Sequence, residues 1–157
     1  GPQVLAPTTT GRDVQASDGR FSLRVPNEWV EFDDPIAEMA FRTITEDPAL
    51  SFNVVREEVA DNMRVQVYAE EARTRIGMTY NNVISLSLTP VMVGSIESYR
   101  WIYTASIGNR ERLFYQLYIV DGGQGFVLTG SAPKGADLAT VRSTFDSIAG
   151  SIIFARG

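Results

Sequence analysis

Closely spaced carboxylates are the side chains of this sequence best suited to chemistry. They fall into two groups, Glu31, Asp33 and Asp34 and, later in the chain, Glu57, Glu58 and Asp61. Carboxylate oxygens bind hard cations such as Ca²⁺, and two carboxyl groups across a cleft hydrolyse glycosidic bonds without histidine. Neither group has the spacing of a calcium-binding loop, and nothing in the sequence places two acids across a cleft. We therefore interpret both groups as solvated loops, predict no metal site, and keep a carboxylate-based hydrolase only as a third alternative.

Two residue types are missing, and their absence excludes most other catalytic centres. The chain contains no Cys and no His. This excludes thiol nucleophiles, thiolate metal sites and disulfides, and also the Ser-His-Asp triad and imidazole metal ligands. Serines such as Ser85, Ser87 and Ser131 have no visible base. The sequence thus predicts a protein that is not an enzyme and has no cofactor.

A glycine-rich segment at residues 121–125 (DGGQG) has the composition of an anion-binding loop of backbone N–H groups. A phosphate-binding loop opens a helix, whereas this segment lies between two predicted strands. We therefore predict a hairpin turn here.

Aromatic and arginine side chains are concentrated between residues 99 and 118. Trp, Tyr and Arg dominate the hot spots of protein interfaces. Because side chains alternate between the two faces of a strand, we expect Tyr99, Trp101 and Tyr103 to pack beneath a helix. The predicted partner-binding residues are those assigned to the exposed face: Arg100, Ile102, Tyr115 and Tyr118.

Composition and charge limit the classes of protein to which this chain can belong. The chain has 157 residues, 44% of them hydrophobic, and a formal net charge of −5. This length suffices for one domain with an ordinary hydrophobic core, and no run approaches the roughly 18 apolar residues of a membrane-spanning helix. No cluster of Lys and Arg supplies the basic face that nucleic-acid binding requires. The sequence predicts a soluble protein that does not bind nucleic acid.

The first sixteen residues differ in composition from the rest. Gly1 and Pro2 resemble the remnant of a cleaved expression tag, and residues 3–15 combine Pro, Gly and three threonines without sustained periodicity. We predict a flexible linker over residues 1–16 and one domain over residues 17–157. An upstream lipid anchor or export signal would make this linker a membrane tether, although an ordinary frayed terminus fits the same composition.

Hydrophobic periodicity predicts the secondary structure. Alternation or short apolar runs predict strands at residues 21–25, 39–45, 50–56, 83–93, 99–105, 113–120, 126–130 and 151–154. Turn signals lie at residues 46–48, 94–95 and 108–109. Pro90 marks a bend or an edge of its strand.

Two segments have helical spacing. The first is predicted over residues 63–76, with Asn62 as its cap and Gly77 as its stop. The second begins at a capping Asp137, ends at Gly150, and has a core stripe of Leu138, Val141, Phe145 and Ile148. Runs of strands separated by isolated helices indicate an α+β fold in which helices flank an antiparallel sheet.

Three segments resemble the PsbP-like fold family, which includes PsbP and DcrB-type bacterial proteins. Residues 19–29 (GRFSLRVPNEW) are similar to the opening pattern of that family, in which proline and tryptophan follow a strand. Residues 125–133 (GFVLTGSAP) resemble its strand that ends in Ser-Ala-Pro, and residues 145–152 resemble the closing helix with its final strand. The similarity covers most of residues 17–155 and implies an α/β/α sandwich.

The resemblance also implies a mostly non-enzymatic role. Family members act as assembly or stabilising subunits, as chaperones for apolar segments, or as secreted lipoproteins. Metal sites of photosystem members rely on His, which this chain lacks, so they are not carried over. We expect an extracytoplasmic domain, membrane-anchored in the full-length protein, that binds a protein or membrane-protein partner. The alternative is a carrier of a small apolar ligand or lipid in a cavity between sheet and helix.

Overall fold

A computed structural model describes residues 1–44 and 50–155. Within them the strands are β1 (Gln3–Val4), β2 (Arg12–Gln15), β3 (Phe21–Val25), β4 (Val30–Glu31), β5 (Met39–Arg42), β6 (Ser51–Glu58), β7 (Asn81–Val93), β8 (Ile96–Ile107), β9 (Arg110–Asp121), β10 (Gln124–Pro133) and β11 (Ile153–Phe154). The helices are α1 (Val65–Thr79) and α2 (Leu138–Ala149).

The described strands form two sheets. Eight of them make one sheet in the order β1-β7-β8-β9-β10-β6-β5-β4, and three make a second sheet in the order β11-β3-β2. In both sheets the neighbours are antiparallel, except that β1 runs parallel to β7. The predicted α+β class with a mostly antiparallel sheet is confirmed.

The two helices cover opposite faces of the large sheet. On β8, Trp101 packs in one core cluster with Tyr68 of α1, whereas its neighbour Ile102 packs in another with Phe145 of α2. Successive side chains of a strand point to opposite faces, so the arrangement is an α/β/α sandwich. Neither helix of the described residues is long and apolar enough to span a membrane.

Helix α2 follows its sequence pattern. The side chain of Asp137 accepts hydrogen bonds from the backbone N–H of Thr140 at 3.0 Å and from its hydroxyl at 2.7 Å. These bonds to the ionised form lower the pKa of Asp137. The predicted core stripe is buried at Val141, Phe145 and Ile148, while Leu138 in the first turn is exposed.

Helix α1 begins and ends later than predicted. Its N-cap residue is Arg64 instead of Asn62, and Gly77 lies inside the helix. A glycine in a helix interior costs only about 1 kcal/mol. Just beyond the helix, the ring of Tyr80 stacks on Phe114 with centroids 5.7 Å apart. This packing outweighs the local stop signal.

The prediction of a flexible linker over residues 1–16 is wrong where that segment forms strands. Gln3 pairs with Val91 in the parallel β1–β7 ladder, and Leu5 is 1% exposed in the main core. The guanidinium of Arg12 donates hydrogen bonds to three backbone carbonyls of the loop after β3, at 2.7 to 3.0 Å. These partners lie far along the chain, so the local composition does not reveal them.

Hairpin turns join β7 to β10 as predicted. The turns lie at residues 94–95, 108–109 and 122–123. Gly94, Gly108 and Gly122 each adopt a positive φ, which glycine tolerates because it has no Cβ. The glycine-rich segment 121–125 is thus a hairpin. Residue 45 and the turn predicted at 46–48 lie outside the described residues.

Candidate binding surfaces

The four residues predicted to bind a partner are buried. The exposed fraction is 6% for Arg100, 1% for Ile102, and 0% for both Tyr115 and Tyr118. The prediction that they form an exposed surface is therefore wrong. Strands β8 and β9 lie in the interior of a sheet that is covered on both faces, so neither face of these strands is left to solvent.

Arg100 and Tyr115 instead form hydrogen bonds that connect the large sheet to α2. Arg100 donates from Nη1 to Oδ2 of Asp146 at 2.7 Å, and the hydroxyl of Tyr115 donates to Oδ1 of the same carboxylate at 2.6 Å. Burial raises the pKa of Tyr115, and the adjacent Asp146 carboxylate raises it further. The hydroxyl therefore remains a protonated donor, and the three side chains position α2.

Aromatic side chains of the other face pack beneath α1, as predicted for Tyr99, Trp101 and Tyr103. The rings of Trp101 and Tyr103 stack with centroids 3.9 Å apart, and both side chains are buried. Tyr99 is partly buried against the same cluster. Tyr118 pairs with Tyr99 across β8 and β9, so it also lies on the α1 face.

An exposed apolar surface lies at the edge of the large sheet. Ile84, Leu86 and Leu88 of β7 are 58%, 49% and 42% exposed. Strand β1 pairs only with the C-terminal end of β7. The outer edge of residues 81–90 therefore pairs with no described strand. We call these three side chains, with the backbone of residues 81–90, the β7 edge surface.

The β7 edge surface has apolar side chains on both faces of the sheet. Leu88 pairs with Trp101 and so lies on the α1 face. Ile84 pairs with Thr104, which shares the α2 face with Ile102. An extended segment added at this edge would contact an apolar side chain on each face.

The edge strand carries only part of the usual protection against pairing with other chains. Natural edges are blunted by charges, prolines and bulges. Residues 81–93 contain no charged side chain. They do contain Pro90 and two shifts of register, between Asn81 and Ile84 and between Ser85 and Ser87. These irregularities limit indiscriminate pairing without covering the apolar side chains.

A concave feature, which we call the α1 groove, lies where α1 leaves the sheet uncovered. Its floor is formed by residues of β6, β10, β9 and β8, one wall by the C-terminal half of α1, and the opposite wall by Ile36. The volume is about 290 Å³.

A row of polar side chains crosses the floor of the α1 groove. Asn53, Thr129 and Gln116 occupy paired positions on three adjacent strands. Nε2 of Gln116 donates to the hydroxyl of Thr129 at 3.1 Å, and Nδ2 of Asn53 donates to Oδ2 of Asp34 at 3.2 Å. Two buried atoms, Oδ1 of Asn53 and the hydroxyl of Tyr103, have no hydrogen-bond partner among the described residues.

Two of the carboxylates singled out in the sequence, Glu57 and Asp34, accept hydrogen bonds from side chains of neighbouring elements. Glu57 accepts a 3.0 Å hydrogen bond from the hydroxyl of Tyr68 and lies 3.4 Å from Nη2 of Arg75. Asp34 accepts the bond from Asn53 described above. In residues 1–44 and 50–155, no three His, Cys, Asp or Glu side chains are grouped so as to hold a metal ion.

The protein is an α+β sandwich. It has a mostly antiparallel sheet with one helix on each face, and a small second sheet. Solved structures identify the sandwich as the PsbP-like fold. A cyanobacterial PsbP (CyanoP) from Synechocystis has a TM-score of 0.67 and 15% identity, over 92% of each chain. LpqN of Mycobacterium tuberculosis has a TM-score of 0.65 and 13% identity, over 92% of this chain and 90% of LpqN.

The Saccharomyces cerevisiae Ran-binding protein Mog1p shares the fold at a TM-score of 0.64 and 10% identity, over 94% of this chain and 96% of Mog1p. Comparison of the sequence with family models and with curated proteins finds no match. At these identities the similarity concerns the fold alone. The PsbP-like fold expected from residues 19–29, 125–133 and 145–152 is confirmed.

Proposed function

We propose that this chain is a non-enzymatic binding domain that works outside the cytoplasm and recognises a protein partner through the β7 edge surface. The observation that carries the proposal is the exposure of Ile84, Leu86 and Leu88 on an uncharged strand whose outer edge pairs with no described strand. Three exposed apolar side chains along this one edge exceed the scattered single ones that are normal on monomeric proteins.

The occupant that fits this surface is an extended, uncharged apolar segment of the partner protein. Strand β1 already adds to the C-terminal end of the same edge, which supports this choice of occupant. Main-chain hydrogen bonds would supply affinity, and alternate side chains of the added segment would supply specificity. Leu88 on one face and Ile84 on the other would cover such a segment from both sides.

The composition and the similar folds support the remaining parts of the proposal. Without His or Cys, the chain lacks the usual groups for catalysis near neutral pH. Mog1p, of similar fold, is a Ran-binding protein, and LpqN is involved in cell envelope biogenesis. We propose likewise a protein-binding role in the envelope for this domain, with membrane anchoring in the full-length protein.

Photo-crosslinking in the native cells tests the proposal. The full-length protein carries a benzophenone amino acid in place of Leu88 or Leu86, and the matched control carries it in place of Leu138, which is similarly exposed at 40% but lies on α2. We expect one discrete product, of the same size from both β7 positions, and none from Leu138. Fractionation of the same cells should recover that product with the envelope.

Introducing positive charge on the edge tests whether the edge itself binds the partner. The double substitution Leu86→Lys and Leu88→Lys, in a protein whose circular dichroism is unchanged, should abolish the product formed from a probe at Ile84. Equal products from the edge and from Leu138 would refute the proposal. A product of twice the mass of the chain would show pairing between copies and would also contradict it.

A further inference from the structure

The α1 groove contains hydrogen-bonding capacity that the described part of the protein does not use. Among residues 1–44 and 50–155, Oδ1 of Asn53 is an acceptor without a donor, and the hydroxyl of Tyr103 is a donor without an acceptor. The Tyr103 side chain is 0% exposed, and both residues line the groove. Buried polar groups are nearly always hydrogen-bonded. Because both atoms are shielded from solvent, a ligand group that satisfies them must displace the side chains that cover them.

The charges around the groove favour a neutral ligand. At its rim, the carboxylate of Glu57 accepts from the hydroxyl of Tyr68 and lies beside the guanidinium of Arg75. The polar row of the floor, from Asn53 to Gln116, contains no ionisable side chain. A charged ligand group placed on that floor would lose its hydration without gaining a free counter-charge.

Apolar side chains flank the polar row. Val55 and Val127 lie on the floor beside it, Ile76 of α1 forms part of one wall, and Ile36 stands on the other wall at 75% exposure. A ligand that fits must therefore combine hydrogen-bonding groups at its centre with hydrocarbon at its sides. The volume of about 290 Å³ lies near the lower limit for ligand pockets, roughly 300 Å³.

We propose that the α1 groove binds a small, uncharged, amide-bearing ligand, such as a capped amino acid or a short apolar peptide segment. The N–H of an amide donates to Oδ1 of Asn53, the carbonyl of another accepts from the hydroxyl of Tyr103, and the hydrocarbon substituents contact Val55, Val127 and Ile76.

Two other ligand classes fit the groove less well. An acyl chain would cover Asn53 and Tyr103 and leave both unpaired atoms without partners, which argues against the lipid carrier considered from the sequence. A polyol would place hydroxyl groups against Ile76, Val55 and Val127, whose side chains neither donate nor accept hydrogen bonds.

Nuclear magnetic resonance titration of the ¹⁵N-labelled chain tests this inference, with N-acetyl-leucinamide as the probe. We expect saturable shifts of the Asn53 and Gln116 side-chain amides and of the Thr129 backbone amide. N-acetyl-leucine, which carries a carboxylate, glucose and a short fatty acid are the comparison probes, and each should bind at least about tenfold more weakly, since tenfold is the effect of one lost hydrogen bond of ordinary strength.

The variant Tyr103→Phe removes only the unpartnered hydroxyl and should weaken binding of the probe about tenfold while leaving the melting temperature unchanged. Its matched control is Tyr115→Phe, whose hydroxyl lies on the opposite face and is bonded to Asp146. That control should lower the melting temperature and leave binding unchanged. Absence of saturable shifts (water alone in the groove), equal binding by Tyr103→Phe, or tighter binding of glucose or of a charged probe would overturn the inference.

Discussion

The hydroxyl of Tyr115 donates a 2.6 Å hydrogen bond to Oδ1 of Asp146, and this bond joins the interior of the large sheet to α2. Tyr115 is fully buried on β9, and Asp146 lies on the inner side of the helix, where its other oxygen accepts from Arg100. Both carboxylate oxygens therefore have a donor from the sheet. These contacts with Asp146 explain why the polar side chains of Arg100 and Tyr115 occur on β8 and β9, two strands that are covered on both faces.

The first prediction concerns this bond. Tyr115→Phe should lower the free energy of unfolding by about 1–3 kcal/mol, because it deprives a largely buried carboxylate oxygen of its donor. Tyr103→Phe is the control, since its hydroxyl has no partner among the described residues. Urea titration measures both variants, and a loss in Tyr103→Phe as large as that in Tyr115→Phe would contradict the assignment.

The ion pair between Arg100 and Asp146 gives the second prediction. Their side chains are 7% and 14% exposed, so removal of either partner leaves the other charge in a poorly hydrated position. Asp146→Leu should cost about 3–5 kcal/mol of unfolding free energy. The double variant Arg100→Met with Asp146→Leu should recover part of this loss. If the loss of unfolding free energy in the double variant equals the sum of the losses in the two single variants, the charges are not coupled.

Two glycines of contrasting surroundings give the third prediction. A Cβ added at Gly130 would lie 2.5 Å from the ring of Phe145, whereas one added at Gly77 would lie in open space. Gly130→Ala should destabilise the fold by about 1–3 kcal/mol through overpacking. Gly77→Ala should stabilise it by up to about 1 kcal/mol, because alanine is the better helix former. Thermal unfolding measures both, and shifts of the same sign would refute the packing at Gly130.

The fourth prediction concerns alkaline pH. Burial raises the pKa of Tyr103, Tyr115 and Tyr118 above the usual value of 10.0. In the unfolded chain these hydroxyls ionise near pH 10, whereas in the folded protein they stay protonated to higher pH. The folded state therefore binds more protons, and the contribution of these tyrosines to stability is constant below about pH 10 and falls above it.

The slope should reach about 1.4 kcal/mol per pH unit for each buried tyrosine. Tyrosinate absorbance should appear together with the loss of near-ultraviolet circular dichroism. Tyr103→Phe should reduce the slope of unfolding free energy against pH by the contribution of one tyrosine, about 1.4 kcal/mol per pH unit. Ionisation of these tyrosines without unfolding would contradict their burial.

Local signals predicted much of the fold correctly. The strand at Phe21–Val25, the hairpin turns and the cap at Asp137 each depend on residues close together in sequence. Alternation requires only that one face of a strand be buried, and a cap requires a side chain three residues from the N–H that it accepts from. These features appear in the structure as the sequence indicates them.

The candidate surfaces could not be predicted in this way. Alternation over residues 85–89 indicates a half-buried strand, and Pro90 indicates a bend or an edge. Neither reveals that the outer edge of β7 is left nearly unpaired by the described strands, which leaves Leu86 and Leu88 exposed. Likewise, the polar row of the α1 groove joins β6, β9 and β10, whose residues are far apart in sequence.

The sequence by itself determined the absence of His and Cys chemistry, the α+β class and most of the local elements, because composition and short-range periodicity are properties of neighbouring residues. Only the tertiary structure decided which side chains are exposed. Arg100 and Tyr115 became buried because β8 and β9 lie in the interior of a sheet with a helix on each face. Residues 3–5 became ordered because β7 and the core lie beside them. Strand order is set by pairing between distant segments, and burial follows from that order.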